Sequence, residues 1–201
     1  MGAIFQSLGR TVFAGFVLLV IIVLLAVAAT GQPIAIDMGW SRFFMRWLHV
    51  LTGVMWIGLL WYFNFVQIPS MPKIPDEQKP AVSKVIAPTA LFWFRWAALA
   101  TVVTGLLLAW MSGYLGRALA LQPGTLAIGI GMWLALIMAF NVWFIIWPNQ
   151  KKALGIVTVE ASEKAKAARV AMLTSRLNTM LSIPMLYCMV AQQNLGGRLW
   201  S

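Results

Sequence analysis

The chain has 201 residues, of which 61% are hydrophobic and 10% charged, with a mean hydropathy of +0.84. This composition excludes an ordinary soluble domain and describes an integral membrane protein. The net charge of +10 sits in short loops beside apolar segments, which argues against nucleic-acid binding and for a face turned toward anionic lipid headgroups.

Residues 11–30 form the first long apolar stretch. Arg10 precedes it and small residues, "AVAAT", end it, as in a secretion signal, but the apolar run is longer than a signal core and is read as a retained helix. The second stretch, 44–66, lies within "RWLHVLTGVMWIGLLWYFNFV" and carries the only histidine. His49, Thr52, Gly53, Trp56, Leu60 and Phe63 recur there at three- and four-residue spacing and line one face. Imidazole is a common iron ligand, glycine admits a flat group, and Arg46 lies one turn nearer the helix start, where it could pair with a propionate. The face is therefore a candidate haem b site, with His49 as iron ligand and Arg46, Gly53 and Trp56 beside it. The alternative is an interfacial histidine bonded to a carbonyl or a headgroup. One histidine cannot make a bis-histidine haem, which leaves methionine, lysine, a five-coordinate iron or a partner chain.

Residues 67–90 read as a loop, with prolines at 69, 72, 75, 80 and 88 and a short amphipathic helix between Asp76 and Ile86. The third and fourth apolar stretches are 91–113, with Arg95 one turn inside, and 125–147, with Asn141 near its end. A second loop, 148–170, passes at Thr158 into a helix that continues through a fifth span, 171–191. Such a helix would be roughly 50 Å long. Glu160 with Lys164 and Glu163 with Lys166 would support its projecting turns, and Pro184 predicts a kink that frees the carbonyl of Met180. Cys188, the single cysteine, excludes an internal disulfide and a C-x-x-C site.

Backbone amides in lipid must be satisfied within each segment, and nothing here alternates as barrel strands do, so the fold class is an all-α bundle of five transmembrane helices. With five crossings the N-terminus and both long loops share the side rich in lysine and arginine, while Arg42, Arg46, Arg117 and Arg198 face the other. The asymmetry predicts a cytoplasmic N-terminus, a periplasmic C-terminus and a bacterial inner-membrane location.

This topology gathers Asn64, Gln67, Arg95, Asn141, Arg176, Asn178 and Ser182 in the cytoplasmic third of the bundle. All five acidic residues fall in loops or projecting helix, so Arg95 and Arg176 have no carboxylate at their depth. A buried guanidinium must snorkel to lipid phosphate, reach a loop acid or hold an anion. Arg95, Asn141, Arg176 and Asn178 are thus candidates for binding an anion or a lipid phosphate. A planar anion such as a purine would suit paired guanidinium and carboxamide groups.

"RWLHVLTGVMWIGLLWYFNFVQ", "NVWFIIWPNQKK" and "SRLNTMLSIPM" resemble the membrane domain of the bacterial cytochrome-c-linked urate hydroxylases, from about residue 40 to 194. The resemblance implies a membrane redox protein acting on urate, with electrons passing to a periplasmic cytochrome c. Matching positions are Arg46, His49, Gly53, Trp56 and Gly58 in the first motif. In the second they are Asn141, Trp143, Trp147, Pro148 and Gln150, and in the third Arg176, Asn178, Ser182 and Pro184. The sequence departs from the longer members in having no C-x-x-C-H, and it reads as a short form without the cytochrome tail.

Three readings follow. The first is a redox or electron-transfer subunit of a membrane complex, with other membrane subunits and a separate periplasmic cytochrome c as partners. The second is a non-catalytic accessory subunit of a larger assembly. The third is a stand-alone membrane urate or purine oxidase, an oxidoreductase with cytochrome c as acceptor; the first two are preferred to an independent enzyme. No intramembrane carboxylate is available to relay protons, which argues against an ion-coupled pump.

Overall fold

A computed structural model describes residues 2–195; Arg198 and Ser201 lie outside them. All regular structure among the described residues is helical. The chain divides into two compact units, Met1–Ser41 and Arg42–Ser201.

The first unit holds a single helical turn, Gly2–Phe5, and helix α1, Leu8–Thr30. The Thr11 hydroxyl donates to the carbonyls of Ile4 and Ser7, which joins the two. None of α1 is buried, and its surface is apolar on every side. Such a helix needs lipid or another protein around it.

Helix α2, Met38–Lys73, begins where Asp37 caps the backbone N–H of Trp40 at 2.8 Å, and it continues into the second unit. There follow α3, Lys79–Met111, a short α4, Leu115–Leu119, then α5, Leu126–Ala153, and α6, Ala161–Asn194. Four of these helices, α1, α2, α3 and α5, are long and apolar enough to cross a membrane. The predicted fifth span does form a helix, the 34-residue α6, but its charges and amides keep it out of that set.

The two long loops predicted at 67–90 and 148–170 are mostly helix. The reason lies in the prolines. Helices α2, α3 and α5 each widen into a π-type turn, at Tyr62–Gln67, Val82–Ile86 and Asn141–Ile146. Each of these turns ends two residues before a proline, Pro69, Pro88 and Pro148. Proline lacks the N–H that would close an α turn, and its ring crowds the turn before it. A wider turn takes up that crowding without ending the helix. The amphipathic helix predicted at 76–86 is accordingly the start of α3. Lys79 donates to Asp76 at 2.6 Å and holds that exposed carboxyl below its ordinary range. Helix α6 runs unbroken through Pro184, and Glu163 pairs with Lys152 at the end of α5.

One core joins α2, α3, α5 and α6, with Trp56, Leu60, Phe94, Met138, Val142 and Ile146 almost completely enclosed. Helices α5 and α6 approach closely where Gly131 faces the Cβ of Cys188. At that end α4 lies on α5. A Cβ on Gly129 would sit 2.2 Å from the carbonyl oxygen of Ala118, so only glycine permits the approach. Trp133 donates to the carbonyl of Leu119, while Gln192 accepts from the N–H of Ile128 and donates to the carbonyl of Gly124.

Candidate functional site

The face of α2 that carries His49 packs against α3. Nδ1 of His49 lies 2.9 Å from the carbonyl oxygen of Thr101 and 3.3 Å from the hydroxyl of Thr104. The carbonyl can only accept, so Nδ1 carries a proton and donates it to Thr101. The ring rests on Gly105, where a Cβ would come within 2.8 Å of Cε1. One turn along, Gly53 faces Thr101, whose methyl would lie 3.8 Å from an added Cβ, and below it Trp56, Leu60 and Phe63 are buried, Phe63 edge-on to Phe94. Arg46 is exposed near Tyr114; burial pushes that phenol up, and the Arg46 charge opposes the shift. A haem beside His49 would need a flat opening where the ring now rests against Gly105 of α3. The residues present fit a helix contact better than a haem.

The second group of polar residues is brought together only in part. Asn141 Nδ2 donates to Asn178 Oδ1 at 2.8 Å, and Asn178 Nδ2 donates to the carbonyl of Met138 at 3.0 Å; both side chains are buried. Asn64 Nδ2 donates to Ser175 Oγ at 2.8 Å and also to the carbonyl of Leu60. Trp61 Nε1 donates to Ser182 Oγ, which donates to the carbonyl of Thr179. These bonds form a layer of amides and hydroxyls linking α2, α5 and α6 through the apolar core. Such bonds between helices are worth most where water is absent. The layer is incomplete, because among the described residues Asn64 Oδ1 and Gln67 Oε1 are buried without a partner, as are the indole N–H groups of Trp56 and Trp143.

The two arginines stand apart from this layer. Arg95 lays its guanidinium over the ring of Trp147, 3.6 Å from the centroid, with Phe92 at 5.8 Å and the Lys151 ammonium 5.7 Å from the same indole. A cation–π stack is its partner in place of a carboxylate. Arg176 is exposed, on the opposite side of α6 from the buried Ser175 and Asn178. The four residues read together from the sequence thus separate into a buried amide pair, a half-buried Arg95 stacked on Trp147 and an exposed Arg176.

Beside the amide layer is a cavity of about 150 Å³ between α2, α3, α5 and α6. Phe63, Leu91 and Leu154 give it apolar walls, and Gln67, Gln150 and Ser175 are its polar lining. Ser175 was not singled out from sequence. Its signal was there: Ala171, Ser175, Asn178, Ser182 and Met185 recur at three- and four-residue spacing and are all buried.

Residues 120–194 match the family model described as urate oxidase N-terminal. Over this segment the chain is related to that family. No curated protein and no solved structure matches the chain. The matched segment contains the whole of α5 and α6, and with them Asn141, Ser175, Asn178 and Gln150; it does not reach His49.

Proposed function

We propose that the chain is a multi-pass inner-membrane subunit of a redox system that oxidises urate and passes the electrons to a separate cytochrome c. The observation that carries this reading is that the urate-oxidase-related segment coincides with the two helices supplying most of the buried amide layer. Carboxamides and hydroxyls in a dry interior are suited to a lactam-rich heterocycle, whose edge alternates N–H donors with carbonyl acceptors. In the proposed topology α6 is the fifth crossing, its polar first turns projecting into the cytoplasm, and the lysine-rich connections face inward. Arg95 and Lys151 then lie at the depth of the inner headgroups.

A second reading, a non-catalytic accessory subunit of a larger membrane assembly, is favoured by α1, an apolar helix with no buried residue. One assay separates the two. Membranes from cells that express the chain are supplied with urate and oxidised cytochrome c. A redox subunit gives urate-dependent reduction that Asn178→Leu reduces at least tenfold at equal protein level. An accessory subunit gives reduction that persists in Asn178→Leu, and the chain then purifies within a complex larger than itself.

A further inference from the structure

We propose that the cavity between α2, α3, α5 and α6 binds a small uncharged cyclic ureide or lactam, a single flat ring with N–H groups next to carbonyls. The inference goes beyond the urate reading and stands on the cavity alone.

Size is the first constraint. At about 150 Å³ the cavity has room for a single five- or six-membered ring, the volume that in an enclosed cavity holds one benzene. Charge is the second. No lining residue is ionisable; Arg95 is engaged with Trp147, and Arg176 faces outward. An anion there would lose its hydration with nothing to replace it, so the neutral form enters.

Hydrogen bonding is the third constraint, and it selects the chemistry. Gln67, in the lining, has its Oε1 buried without a donor among the described residues, and so has Asn64, behind Ser175, its Oδ1. An unpartnered buried acceptor is costly, and a ligand N–H would recover the loss. Ser175 accepts from Asn64 and has no acceptor for its own proton among the described residues; the Gln150 carboxamide has no hydrogen bond to protein there either. The wall therefore offers acceptors and donors side by side. A ring that alternates N–H with C=O answers both, whereas an alkane or a simple arene answers neither. The apolar walls from Phe63, Leu91 and Leu154 cover the two ring faces.

The test uses the full chain in lipid nanodiscs and three probes: hydantoin, 1,3-dimethylhydantoin and urate, each titrated by calorimetry. Hydantoin is expected to bind, and methylation of both nitrogens to weaken binding at least tenfold, with the protein unchanged. Gln67→Leu should weaken hydantoin about tenfold while the dimethyl probe is unaffected. No hydantoin binding, equal binding of the dimethyl compound, or tighter binding of urate than of hydantoin at a Gln67-dependent site would each overturn the proposal. Loss of urate-dependent cytochrome c reduction with hydantoin binding intact would count against the redox reading only.

Discussion

At His49, one glycine decides what the side chain can do. Because Gly105 has no Cβ, the imidazole lies against α3 and gives its Nδ1 proton to Thr101. Gly105→Ala should push the ring away and cost about 1–3 kcal/mol, read as a lower thermal midpoint in detergent. The same change made in His49→Ala should cost much less, since the clash is with the ring itself. The amide pair permits a second cycle. Asn178→Leu leaves Asn141 Nδ2 and the Met138 carbonyl without their partner and should cost about 1–3 kcal/mol, part of which Asn141→Leu restores in the double variant. Both asparagines were legible from sequence, because counting residues along two antiparallel spans put them at one depth. The partner of Arg95 was not. Trp147 is one of 11 tryptophans, and a rule that assigns tryptophan to the membrane interface gives no reason to seek a guanidinium stacked on one of them.

Among the elements, the helices were legible in kind but not in extent. Hydropathy marks the part of a helix that meets lipid, and it falls silent at Gln67 and Trp147, although the backbone continues as helix to Lys73 and Ala153. Proline was treated as a stop signal. At Pro69, Pro88 and Pro148 a widened turn absorbs it, so the connections shrink to residues 74–78 and 154–160. Helix α4 was missed because five residues of mixed character carry no periodic signal; its place is fixed by Gly129 and by the Trp133 and Gln192 hydrogen bonds. Gly129→Ala is therefore expected to detach α4. Backbone oxygen cannot yield as a flexible side chain can, and the cost should reach about 1–3 kcal/mol. Thermal unfolding reads the loss, and hydrogen exchange at residues 115–119 locates it. An unchanged midpoint would show that α4 is not held at this contact.

For the whole molecule, composition was enough to give an all-helical chain with helices able to cross a membrane, and the urate-oxidase-related segment lies where two of the three resemblance motifs lie. The division into two units was not legible, since hydropathy marks both α1 and α2 as able to cross a membrane and only packing separates a helix without buried residues from one that has them. The proposed function depends on the amide layer and the cavity sitting at the inner side of a bundle that α3 crosses. Glu77 precedes α3, Gln122 follows it, both are exposed, and the native Cys188 is buried. Single cysteines at these two positions, probed with a membrane-impermeant thiol reagent on intact spheroplasts and on inverted vesicles, report the crossing directly. The proposed topology requires Glu77→Cys to react only in inverted vesicles and Gln122→Cys only in spheroplasts; reaction of both from the same side would contradict it.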